Sequence, residues 1–230
     1  MTFSIERKVV FLLAQVVLCL ASLKAGAAES VDTIEEAARK SVREAEPFKP
    51  KLRAEFLRLA AVGEFPILGL SDPSDAPHAD FADALAIFDI GLKPLKAFDG
   101  SMDPVKLVDQ IDQVMYVVSA DGKKISLAVV ERQPTNEWVA VSFGDATIAP
   151  KVSHALAQSM IPPPAISSVR FLVRVPALNA TFIGRRNGNS FDLTAISSNI
   201  LGMAEGDTLP ARTVFLSMAP IARRLNGYPT

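Results

Sequence analysis

Beyond residue 28 the chain has no cysteine; its single one, Cys19, lies in an apolar stretch near the start. The remainder therefore has no disulfide, no thiolate nucleophile and no thiolate metal site, so its stability must come from an ordinary packed core. Leu18 precedes Cys19 where a lipid-attachment site would want a small residue, which argues against a lipoprotein. Histidine is nearly as scarce, with His78 and His154 the two in 230 residues. No histidine pair stands at zinc spacing, and a Ser-His-Asp arrangement could draw on those two alone. No glycine-rich loop ends in Lys-Ser/Thr, and no Gly-x-Ser-x-Gly elbow occurs, so neither a phosphate cradle nor an α/β-hydrolase nucleophile is indicated.

Charge of one sign is also missing. The formal net charge is −1, and Arg7, Lys8 and Lys24 against Glu6 put +2 at the start, leaving −3 for the rest. A chain so balanced offers no electrostatic footprint for nucleic acid. The one long hydrophobic run is Val9 to Leu23, interrupted by Gln15. It follows Arg7-Lys8 and leads to Ala25-Gly26-Ala27-Ala28, the pattern of a cleaved export leader. The run is short against the roughly 20 residues of a membrane helix. Residues 1–28 are therefore expected to be a signal peptide cut after Ala27 or Ala28. The mature chain is expected in the periplasm or secreted, with no membrane span.

What is present is strand signal. Asp121-Gly122 supplies the positive φ values of a tight type I′ hairpin turn. Before it runs Val114-Met115-Tyr116-Val117-Val118, continuous enough for a strand covered on both faces. After it, Ile125, Leu127 and Val129 alternate with Ser126, Ala128 and Val130. Gln133-Pro134-Thr135-Asn136 breaks the run, Trp138 to Phe143 resumes it, and Gly144-Asp145 ends it. Residues 112–143 thus read as an antiparallel meander. A second β region alternates Val169, Phe171, Val173 and Val175 with Arg170, Leu172 and Arg174. It continues through Ala180–Arg186, an Asn187-Gly188 turn and a return over Phe191, Leu193 and Ala195.

Helical periodicity fills the rest. Thr33-Ile34-Glu35-Glu36 resembles a capping box opening a charged helix with Ile34, Ala38, Val42 and Ala45 on one face, ended by Pro47 and Pro50. Residues 51–62 carry the stripe Leu52, Phe56, Leu59 and Ala60, stopped by Gly63. Phe65–Leu70 suggests a short edge strand. The polar stretch 71–83 places Asp72, Asp75, Asp80 and Asp83 around His78; its spacing is not that of an EF-hand, and its aspartates suit helix caps. Helices are expected over 78–89, with Phe81, Ala84, Leu85 and Phe88 on one face, and from 101 to about 111. Ile148, Val152, Leu156 and Met160 mark another helix, on which His154 faces water. Ile161-Pro162-Pro163-Pro164 should stiffen the connection beyond it. Asp207 to Pro210 opens a terminal helix with Val214, Met218, Ile221 and Leu225 inward, which Pro220 should kink or split.

The fold class expected is α+β, an antiparallel sheet of meander plus hairpin packed against amphipathic helices. Residues 29–110 read as a mainly helical N-terminal portion and 111–230 as the antiparallel-sheet portion, unless 29–230 form one domain. No cofactor or metal is called for, and no catalytic constellation stands out. One cluster merits attention: Arg170, Arg174, Arg185 and Arg186 could gather into an anion- or partner-binding patch, because guanidinium groups bind carboxylate and phosphate bidentately. The competing account is that strand arginines guard a sheet edge. The function expected is a non-enzymatic exported protein that binds another protein, as an adaptor or inhibitor. The alternative is a small-ligand-binding protein or hydrolase using carboxylates or arginines in a cleft.

Overall fold

A computed structural model describes residues 32–160 and 169–225. The signal peptide expected at 1–28 and the prolines at 162–164 lie outside the described residues. The fold is α+β, built on one sheet of eight strands.

The first meander forms where the Asp-Gly signal puts it. Strands β2 (Val108–Ala120), β3 (Lys123–Arg132) and β4 (Trp138–Gly144) pair antiparallel in sequence order. Asp121 and Gly122 both take positive φ, 49° and 77°, between the paired residues Ala120 and Lys123. Val114 to Val118 are all buried, because helices cover that strand from both sides.

The strand that completes this meander corrects the expectation of a helix at 78–89. Residues Ala79–Ile90 form β1, antiparallel to β2. Phe81 pairs with Val118 and Ala86 with Val114, on one face, although 81 and 86 differ in parity. A bulge between Ala82 and Leu85 makes the change, with Asp83 in the left-handed region at φ 45°. One extra residue flips the alternation, and the resulting mixed spacing imitates a helical stripe. The helix expected from 101 to 111 is likewise a single 3-10 turn, Pro104–Leu107, capped by Asp103 through the Val105 N–H at 3.0 Å. The edge strand expected at Phe65–Leu70 is a turn. Gly69 has φ 75° there, and a methyl at its Cβ position would overlap the Ile125 carbonyl, so the chain bends tightly against β3.

The second meander runs β5 (Arg170–Val175), β6 (Ala180–Asn187), β7 (Ser190–Ala195) and β8 (Thr208–Pro210), all antiparallel. Its hairpin loop is Gly188-Asn189 rather than Asn187-Gly188: Asn187 pairs with Ser190, and Gly188 takes φ 60°. The two meanders meet at β1 and β5, which are parallel and joined by three register pairs around Phe88 and Val173. The strand order is β4-β3-β2-β1-β5-β6-β7-β8. The sheet thus takes a central strand, β1, from the portion before residue 110.

Helices cover the two faces unequally. On one face lie α1 (residues 32–45), α2 (Lys49–Leu59), α3 (Leu92–Ala97) and α5 (Ala211–Arg224). Leu52 and Phe56 of α2 meet Phe81, Tyr116 and Val118, while Val214, Phe215 and Met218 of α5 meet Phe182, Phe191 and Leu193. Phe88, Phe171, Phe191 and Phe215 form a ladder of rings with centroids 5.3–6.1 Å apart. The opposite face carries α4 (Ala149–Gln158), whose Val152, Ala155 and Leu156 pack on Ile87, Met115, Leu172 and Ile183. The terminal helix begins at Ala211, because residues 208–210 are spent on β8, and it runs through Pro220 as one element. Pro220 is exposed, which spares the core from its missing donor.

Candidate functional site

The four arginines do not form one patch. Successive residues of a strand face opposite ways, so Arg185 and Arg186 are parted by the sheet. Arg186 turns to the α1 face, where it bonds Asp32, donates from Nε to the Gly188 carbonyl at 2.9 Å and lies 3.6 Å from Glu35. Arg170, Arg174 and Arg185 share the α4 face. Arg174 grips Asp89 with both arms of its fork, Nε to Oδ1 at 2.8 Å and Nη2 to Oδ2 at 3.0 Å. Arg185, 8% exposed, donates to the carbonyl of Ser159 at the end of α4 and sits 3.7 Å from the buried Asp192. Asp192 also accepts from Asn187 at 2.9 Å. A cation there complements the negative end of α4 and satisfies one of its last carbonyls. Arg170, across from Arg185 in register, makes no ion pair among the described residues. Three of the four side chains are therefore occupied in joining elements.

The aspartates around His78 do local work too. Asp72 caps a 3-10 turn, Pro73–His78, through the Ser74 N–H at 2.7 Å, and hydrogen bonding from the Ser74 side chain and from this N–H holds its carboxyl below the usual range. His78 lies 3.8 Å from Asp121, both well exposed, and Asp83 pairs with Lys124 at 3.4 Å. Among the described residues no three His, Cys, Asp or Glu side chains are grouped to hold a metal ion. His154 is exposed on α4, as its spacing requires.

A different surface emerges from the topology. Strand β4 ends the sheet order, so among the described strands it pairs with β3 alone and leaves its other edge unmatched. Its sequence, Trp-Val-Ala-Val-Ser-Phe-Gly, contains no charged residue. Natural edges are usually blunted by lysine, proline or an inward charge; here there is one bulge, between the Val129 and Val130 pairings. Val141 is the extra residue of that bulge and is 47% exposed. Beside the strand an open groove of about 420 Å³ separates it from the α1–α2 junction. Pro47, Phe48 and Lys51 line the helix side, and Trp138 and Val139 the strand side, with Glu44 and Glu137 at the rim. Glu137 and Asp145 bracket the strand, and neither makes an ion pair among the described residues. This surface had a sequence signal, a strand of seven residues without a charge, but its edge position depends on the strand order.

Under the same helix junction, Tyr116 is fully buried and its hydroxyl has no hydrogen-bond partner among the described residues. Lys49 Nζ stands 5.7 Å from the centre of its ring. Burial, and secondarily the charge of Glu46, push its ionisation well above the ordinary tyrosine value.

Among the described residues no helix is long and apolar enough to cross a membrane. No protein-family model matches the chain, and no curated protein or solved structure does either.

Proposed function

We propose that this is an exported, non-enzymatic binding protein that takes up an extended segment of another polypeptide along the free edge of β4. The observation that carries the reading is that edge strand: seven residues with no charge, one open side and an adjoining groove that Phe48, Trp138 and Val139 help to line. An added strand gains main-chain hydrogen bonds from the exposed N–H and C=O groups, and alternate side chains find pockets beside it. The groove volume of about 420 Å³ suits a large aliphatic or aromatic side chain against Phe48 and Trp138. Glu137 and Asp145 at the two ends of the strand favour a segment whose apolar centre is flanked by lysine or arginine. Export places the partner among other exported proteins.

The test is selection from a displayed library of random peptides against the purified mature chain. Enriched peptides are expected to alternate apolar and polar residues with a basic residue at an end. Val141→Lys, which puts a charge on the edge, should weaken a selected peptide at least tenfold while leaving the circular dichroism spectrum unchanged. Peptides without that pattern, or an affinity indifferent to Val141→Lys and Trp138→Ala alike, would overturn the proposal.

A further inference from the structure

Helix α1 holds the sheet by unusual means. It crosses the strands: Asp32 and Glu35 meet Arg186 of β6, the Glu35 carboxylate accepts from the Val169 N–H just before β5, Ser41 accepts from Gln110 of β2, and Glu44 pairs with Arg132 of β3. A helix of that length measures about 21 Å, close to the roughly 19 Å from β6 to β3 at the usual strand spacing. Val42 packs against the cores of both meanders, so α1 bridges the seam where β1 and β5 meet. Yet the residues it turns to the sheet are small. Ala38, Ser41 and Ala45 are buried and Ala37 half-buried, with Ile34 and Val42 the larger aliphatic side chains. Neighbouring α2 buries Leu52 and Phe56, and α5 buries Val214, Phe215 and Met218. Two open grooves border the C-terminal half of α1, one along Arg39, Val42 and Arg43, the other along Glu44. Its hydrophobic hold is therefore slight, and its polar contacts are distributed along its length.

We propose that α1 is a releasable strap: it detaches from the seam as a unit, in response to ionic strength, while the two meanders stay folded. Local opening is governed by the apolar area an element buries, and α1 turns mostly small side chains to the sheet where α2 and α5 turn large ones. What remains includes the contacts of Arg186 with the exposed Asp32 and of Arg132 with the half-buried Glu44, which salt weakens, since the screening length falls from about 10 Å at 0.1 M to about 3 Å at 1 M. Release bares the seam beside Phe88 and Phe171. Pro47, in the 3-10 turn Glu46–Phe48, marks the hinge, because it interrupts the backbone hydrogen bonding between α1 and α2.

Hydrogen exchange followed by mass spectrometry on the mature chain tests this directly. Peptides from α1 are expected to exchange about tenfold faster in 1 M than in 0.05 M sodium chloride, with those from β2, β5 and α5 unchanged. Arg186→Gln should give the same acceleration at low salt, and Glu44→Gln a smaller one. Exchange of α1 in step with β2 under both conditions would overturn the proposal. So would equal acceleration of every element, or variants in which α1 keeps its wild-type protection.

Discussion

Replacing Tyr116 by phenylalanine should make the protein more stable. The side chain is fully buried beneath the α1–α2 junction, and its hydroxyl has no partner among the described residues. A buried polar group left unsatisfied costs about 1–3 kcal/mol. Losing the oxygen gives up a few van der Waals contacts of about 0.1–0.2 kcal/mol each. The net expectation is a gain of about 1 kcal/mol, or about 2–4 °C in Tm for a chain of this size. Urea unfolding at pH 7, with the slope compared as well as the midpoint, measures it. The pH dependence supplies an independent check. The folded tyrosine ionises well above its ordinary value because burial disfavours the phenolate. Its contribution is therefore constant below the unfolded value of about 10. Above that pH the unfolded chain loses a proton that the folded chain keeps, and stability falls by up to about 1.4 kcal/mol per pH unit. The phenylalanine variant lacks this loss, so the gap between the two proteins should widen between pH 10 and 11.5. A variant 1 kcal/mol less stable at pH 7, or a gap that stays constant into alkali, would show that the hydroxyl is solvated or bonded and refute the reasoning.

Three further outcomes follow from the same packing. Arg185→Met removes the cation at the end of α4 and leaves the buried Asp192 with Asn187 as its donor; a loss of about 3 kcal/mol is expected. The double variant Arg185→Met, Asp192→Leu should recover part of that loss in urea unfolding. Gly184→Ala should cost about 1–3 kcal/mol, because the Phe171 ring of the facing strand lies over Gly184 where a methyl would go. Asp72→Ala removes the cap of an exposed 3-10 turn and should lower the Tm only slightly, with no change in the hydrogen exchange of β1.

The first meander was legible because turn chemistry and strand pattern agree: Asp121-Gly122 fixes the hairpin, and the doubly covered run at Val114–Val118 needs no alternation. The same holds for β5 to β7, where alternation is clean. Strand β1 was hidden by its own bulge, since Asp83 inserts a residue and turns a two-residue period into an apparent helical one. The parallel join of β1 to β5 left no local trace, because about 85 residues separate the strands and three pairs connect them. Of the arginine cluster, the separation of Arg185 from Arg186 follows from strand geometry and could have been read directly. The pairing of Arg174 with Asp89, and of Arg186 with Asp32, could not, because it depends on β1 and α1 being where they are. The proposed binding edge was half legible: the sequence shows a strand without charge at Trp138–Gly144, while the order of strands decides that it has a free side.

That free side is the point on which the functional account turns. Amide exchange of isotopically labelled protein lacking residues 1–28, read residue by residue by NMR with and without a peptide selected against it, probes it most directly. The account expects the outward-facing amides between Trp138 and Gly144 to gain protection in the complex, while those already bonded to β3 change little. Unchanged exchange along that strand, with protection appearing at β8 or over α4 instead, would contradict it.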